Sequence, residues 1–117
     1  MVPQENDARN ILMSKLYEQT CKLAYTESQV AISPRRPFGV ADQTKLADQA
    51  FQLAEEAKRI RGLDPASVEE AKVHAALTKV AAAQAMFDLI NNQTGNDFTT
   101  KQVFAAVEAA LNALRVI

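Results

Sequence analysis

Residues 64–92 read DPASVEEAKVHAALTKVAAAQAMFDLINN. The stretch begins with Asp64 and Pro65, a pair typical of a helix N-cap followed by proline at the first helical position. A second, competing N-cap lies at Ser67. Alanines and aliphatic residues then continue without a glycine or a further proline. The stretch therefore predicts one long helix over residues 65–92.

The apolar residues of this segment cover two sides of the predicted helix. At 100° per residue they span about 240°, much more than one helix of a simple bundle buries. One side carries Val68, Ala71, Ala75, Ala82, Met86 and Leu89. The other side carries Val73, Ala76, Leu77, Val80, Ala83 and Phe87. A helix that is apolar on two sides has to be covered on two sides, by a second copy, by another protein or by a central position within the monomer. Because twofold self-association is the commonest arrangement, we expect this second set to form the surface for self-association or for a partner.

Three more helices are predicted around this segment. The first covers residues 5–31 and ends before a proline. The second covers residues 43–61, with Asp42 as its N-cap and Gly62 just after its end. The third covers residues 100–115. Four helices with mostly short links predict an all-α, antiparallel up-down-up-down four-helix bundle that forms a single domain, 1–117.

Each of these three helices is predicted to bury one face only. Their apolar residues recur at the spacing of three and four that is typical of an amphipathic helix. The predicted faces are Leu12, Met13, Leu16, Thr20, Leu23, Ala24, Val30 and Ala31 in the first helix, Leu46, Ala50, Leu53, Ala57 and Ile60 in the second, and Val103, Phe104, Val107, Ala110, Leu111 and Leu114 in the third.

The composition is that of a globular helical protein. Hydrophobic residues make up 48 % and charged residues 23 %, with 21 alanines and only 3 glycines. These values exclude a disordered chain, and no run of apolar residues is long enough to predict a membrane span. The first residues do not resemble a signal peptide and the chain has one cysteine, so a cytoplasmic location is expected.

The charge balance does not favour a nucleic-acid partner. The formal net charge is −1, with 8 basic and 8 acidic residues in 1–60 and 5 and 6 in 61–117. Nucleic-acid-binding proteins usually carry a basic surplus or stripe. The alternative of a nucleic-acid-binding helical module would have to use Arg35, Arg36, Lys15 and Lys22.

Residues that could carry chemistry are few. The only histidine, His74, follows Glu70 by four residues, and the only cysteine is Cys21. Neither has the companions that a metal site or a nucleophile needs, so no catalytic residue, metal or cofactor is predicted. The alternative of a small all-α enzyme would need Lys72, Lys79 or Gln84 to point into a pocket between helices.

A weaker signal lies at the loops of one pole. Arg35 and Arg36 stand between two prolines, followed by Phe38, and an antiparallel bundle would bring Asn92 and Asn96 to the same end. These five residues form a candidate recognition loop. The whole pattern predicts a non-enzymatic protein-binding bundle, such as an adaptor, small chaperone or regulator, which acts as a homodimer through residues 65–92.

Overall fold

The computed structural model describes residues 4–32, 39–92 and 100–117. The described residues form four α-helices and one short 3-10 helix, and no strand. The α-helices are α1 (Gln4–Ile32), α2 (Val40–Arg61), α3 (Glu70–Asn92) and α4 (Thr100–Arg115), and the 3-10 helix is Pro65–Ser67. The predicted fold class, an all-α bundle of four helices, is confirmed.

The start of α3 differs from the prediction. The Asp64 carboxylate accepts a hydrogen bond from the Ala66 amide at 3.0 Å, but it caps only the 3-10 helix. The backbone of Val68 is then extended (φ −103°, ψ 136°), and its side chain is buried. The Glu69 carbonyl accepts the first amide bonds of α3. Asp64 and Pro65 therefore begin a separate turn. Val68, with its extended backbone and buried side chain, separates that turn from α3.

The start of α2 also differs. Gly39 is its N-cap, with an extended backbone, and the Gln43 amide donates to the Gly39 carbonyl at 3.0 Å. Asp42, predicted as the cap, lies inside the first turn, where a negative charge favours the N-terminal end of the helix dipole. The C-terminal end, Arg61 followed by Gly62, is as predicted.

The side-by-side order of the helices is not that of a simple up-down-up-down ring. α1 contacts α2 and α3, and α4 contacts α3 and α2, whereas the consecutive helices α2 and α3 do not contact each other in the described residues. Hydrogen bonds from Gln49 to the Phe104 carbonyl and from Arg59 to the Leu114 carbonyl show that α2 and α4 are parallel neighbours. α2 and α3 therefore lie on a diagonal of the bundle.

The segment between α2 and α3 makes this crossing. Leu63 and Pro65 line a cleft with Met13 of α1, and the 3-10 helix packs on α1. The Arg9 guanidinium donates to the Ala66 carbonyl at 3.2 Å. The crossing segment thus covers part of α1 that extends beyond the end of α2.

The core runs along the centre of the bundle, 55 Å in its longest dimension. The predicted buried faces of α1, α2 and α4 are buried, except that Leu12 and Phe104 are half-buried. The largest fully buried apolar side chains are Leu16, Leu23, Leu46, Leu53, Ile60, Val80, Phe87, Val103, Val107, Leu111 and Leu114.

Candidate protein-binding surface

The predicted self-association face of α3 is part of the core of the chain itself. Val73, Ala76, Val80, Ala83 and Phe87 are buried by the other helices, and Leu77 is half-buried against the same core. The assignment of these residues to a partner surface therefore has to be corrected. α3 packs on both α1 and α4, so one broad face of it is used within the chain.

The opposite side of α3 faces the solvent. Ala71, Ala75 and Ala82 are exposed, Met86 is half-buried, and Leu89 is 42 % exposed. Most of this side therefore consists of alanine methyl groups, which add little apolar area and favour the helix. We call it the outer face of α3.

A larger apolar feature lies between α1 and α2, on the outside of the bundle. It is an open groove of about 580 Å³, which we call the α1–α2 groove. Its lining is Tyr17, Cys21, Ala24, Tyr25, Ser28, Ala50, Ala54, Ala57, Lys58 and Arg61. Six of these are alanine, serine or cysteine, so the floor is made of small side chains from both helices.

Large apolar side chains are exposed on the two helices that form the groove, and one of them, Tyr25, lines it. Tyr25, Ile32, Val40 and Phe51 are between 65 and 80 % exposed. Ile32 follows Tyr25 by seven residues and Val40 precedes Phe51 by eleven, so on each helix the pair lies on one side. This surface was missed in the sequence because α1 and α2 were each assigned only one apolar face. Its signal was these large apolar residues outside the predicted arcs.

One end of the groove is basic. The Arg61 guanidinium lies 5.5 Å from the centre of the Tyr17 ring, and Lys58 lines the groove one turn away. Neither forms an ion pair in the described residues. Arg59, from the same turn, points to α4 instead and is paired with Glu56 at 2.8 Å. The lining of the groove itself contains no acidic residue.

The core contains one carboxyl group. Glu27 of α1 is fully buried among the core residues, and both of its oxygens lack a hydrogen-bond partner within the described residues. Burial raises the pKa of Glu27 to about 9, so the group is protonated at neutral pH. Glu27 was not among the predicted core residues, although its spacing from Leu23 and Val30 places it on the same face of α1.

The residues of the enzyme alternative do not converge. Lys72 and Lys79 are exposed, and Lys72 lies 3.8 Å from Glu69. Gln84 is half-buried and donates hydrogen bonds to Thr26 and to Asp88. In the part of the chain that the structure describes, no group of histidine, cysteine and acidic side chains could hold a metal ion.

The remaining predicted residues fall in three places. His74 is exposed, 3.7 Å from Glu70, and Cys21 is half-buried in the α1–α2 groove. Lys15 and Lys22 are exposed on α1. Of the candidate recognition loop, Arg35, Arg36, Phe38 and Asn96 lie outside the described residues, and of Asn92 only the backbone, at the end of α3, is described.

No family model, curated protein or solved structure matches the chain. None of the described helices combines the length and the hydropathy that crossing a membrane requires.

Proposed function

We propose that this protein is a non-enzymatic binding module, which holds a segment of another protein against the α1–α2 groove. The observation that carries the proposal is an open groove lined by the exposed Tyr25, between two helices that also expose Ile32, Val40 and Phe51. Exposed apolar residues that stand singly need no explanation, whereas a group of large ones along a groove is typical of an interaction site.

The shape of the groove supports a helical or extended partner segment. Small residues such as Ala50, Ala54 and Cys21 form its floor, and the exposed ring of Tyr25 lines its side. From Tyr17 to Ser28 it extends about 17 Å along α1, which is three turns of helix. Grooves of this kind receive one apolar face of an amphipathic helix.

The test is capture of proteins from an extract of the native host with two matched variants. Ala54→Glu puts a charge on the floor of the groove, at an exposed helical position that tolerates glutamate. We expect a protein that the wild type captures to be lost with this variant, because a charge on an apolar surface opposes its burial.

The matched control is Ala105→Glu, the same change at an exposed position of α4 away from the groove. It should capture the same protein as the wild type, and both variants should keep the wild-type circular dichroism spectrum. Equal capture by all three proteins, or capture by none, would contradict the proposal.

The homodimer predicted from the sequence is kept as a further proposal. The other face of α3 is buried within the chain, so a second copy would have to bind the outer face of α3, with Leu89 and the exposed alanines. Closed twofold association is the commonest arrangement of soluble oligomers. Its test is the molar mass of the protein in solution.

A further inference from the structure

We infer that the α1–α2 groove receives an amphipathic helix whose acidic residues lie over Lys58 and Arg61, an inference that rests on the proposed function. The groove combines a long apolar part and a short basic end. A partner that fits both parts has an apolar stripe and, at one end of it, carboxylates.

The apolar part of the groove favours a partner helix with an apolar face. The small residues on the floor allow close approach of a helix backbone, and the exposed ring of Tyr25 offers apolar surface to aliphatic side chains. A segment that binds as an added β-strand would need an exposed strand edge for its backbone hydrogen bonds, and the described residues form helices with no strand. A helix satisfies its own backbone groups and needs only the apolar contact.

The basic end of the groove favours acidic residues at one end of the partner helix. Lys58 and Arg61 also suit the carbonyl end of the α2 dipole, but Arg59 in the same turn is satisfied within the chain, whereas these two face the groove. Two acidic residues lie nearby, Glu18 in the cleft that Arg61 also lines and Glu55 one turn before Lys58 on α2, but neither forms an ion pair with these cations in the described residues. Two cations without an ion-pair partner beside an apolar surface favour a partner with carboxylates.

A second copy of this chain is a poorer occupant. If two copies paired groove to groove in parallel, Lys58 and Arg61 would face the same cations. If they paired antiparallel, the cations would face the Ser28 end of the other groove, whose lining contains no acidic residue. Neither arrangement supplies the missing negative charge.

The single thiol of the chain provides the readout. Cys21 is half-buried in the groove, and it is the only cysteine, so a bound helix should slow its alkylation. The probe is a synthetic helical peptide of about 16 residues, about 24 Å long, with leucines along one face and glutamates at one end. Two further peptides carry glutamine or lysine in place of each glutamate.

We expect the acidic peptide to protect Cys21 at the lowest concentration and the lysine peptide at the highest. The double variant Lys58→Glu with Arg61→Glu should raise the Kd of the acidic peptide about tenfold, because two attractions become repulsions. Lys79→Glu, an exposed lysine of α3, makes the same kind of charge change away from the groove and should leave the Kd unchanged. Added salt should weaken the preference for the acidic peptide.

The outcomes separate the two proposals. If the glutamine or lysine peptide protects Cys21 as well as the acidic one, the groove binds helices but the charge inference is overturned. If no peptide protects Cys21 while Ala54→Glu still abolishes capture from the extract, the groove binds something other than an acidic helix. If Cys21 becomes protected as the protein alone is concentrated, a second copy is the occupant and the inference is also overturned.

Discussion

The buried carboxyl group of Glu27 has an effect on stability that can be measured directly. Glu27 is 0 % exposed, and its oxygens lack hydrogen-bond partners within the described residues. An uncompensated polar group of this kind costs about 1–3 kcal/mol of stability even when it is neutral. The folded chain tolerates it because Leu23, Val30 and the core residues of the other helices bury enough apolar area.

Glu27 should make the stability of the protein depend on pH. The pKa of Glu27 is about 9 in the folded chain and close to its ordinary value of 4.5 when unfolded, so the folded state holds more protons between these limits. Stability contributed by this proton is therefore present in full below pH 4.5 and is lost as pH rises towards 9, by up to about 1.4 kcal/mol per pH unit. Urea unfolding measured from pH 5 to pH 9 checks this.

Two substitutions separate ionisation from burial. Glu27→Gln keeps a polar group but cannot ionise, so it should flatten the fall in stability with rising pH. Glu27→Leu should also raise the free energy of unfolding at pH 7, by about 1–3 kcal/mol. An unchanged pH dependence in Glu27→Gln would show that other groups are responsible.

Alanine explains why the apolar pattern of α3 predicts more surface in need of a cover than the structure shows. Ala71, Ala75 and Ala82 count as apolar in a helical wheel, yet all three are exposed. An alanine exposes one methyl group, so leaving it in water costs little, and it stabilises a helix better than any other residue. A wheel that weighs alanine like leucine therefore overestimates the area that needs a cover.

At the scale of the element, two capping signals, Asp64 and Ser67, both belong to the short turn before α3. Asp64 and Pro65 begin a 3-10 helix, and the Ser67 hydroxyl donates to the Asp64 carbonyl at 2.7 Å rather than capping α3. Removing the Asp64 side chain should therefore destabilise the crossing segment that covers α1.

We expect Asp64→Ala to lower the free energy of unfolding by about 1 kcal/mol, the usual value for a lost N-cap. Asp48→Ala is the control, because its carboxylate is exposed and bonds only a neighbouring side chain, that of Gln52, on the same helix. Chemical denaturation of both variants gives the comparison. An equal, small effect of the two changes would mean that the cap does not hold the turn.

Helices were the most predictable elements, and the surfaces between them the least. The ends of α2 at Arg61 and of α4 at Arg115 follow from residues close by in the sequence. The α1–α2 groove joins side chains more than twenty residues apart, such as Cys21 and Ala54, so no local pattern describes it. Glu27, in contrast, lies four residues after Leu23 and three before Val30, so helical spacing alone places it on the predicted buried face of α1.

At the scale of the whole molecule, one question is which face of α3 belongs to the fold. Val80 is 0 % exposed, whereas Ala82 is exposed on the outer face of α3. Val80→Glu should unfold the protein or remove most of its stability, since it buries an unpaired charge. Ala82→Glu should leave the helical circular dichroism and the unfolding midpoint almost unchanged.

Light scattering on the same proteins tests the homodimer. If two copies associate through the outer face of α3, the wild type has twice the monomer mass and Ala82→Glu has the mass of one chain, 12.8 kDa. A wild type that stays at 12.8 kDa at high concentration would end the homodimer proposal. A folded Val80→Glu variant would contradict the assignment of this face to the core.

The diagonal relation of α2 and α3 has a consequence for how the chain folds. α1 with α2, and α3 with α4, each form a helical hairpin from neighbouring sequence. The hydrogen bonds that join the two hairpins link residues 55 to 63 positions apart, as from Arg59 to Leu114 and from Arg115 to Gln52. Closing such long loops is slower than forming a hairpin, so docking of two preformed halves should limit the folding rate.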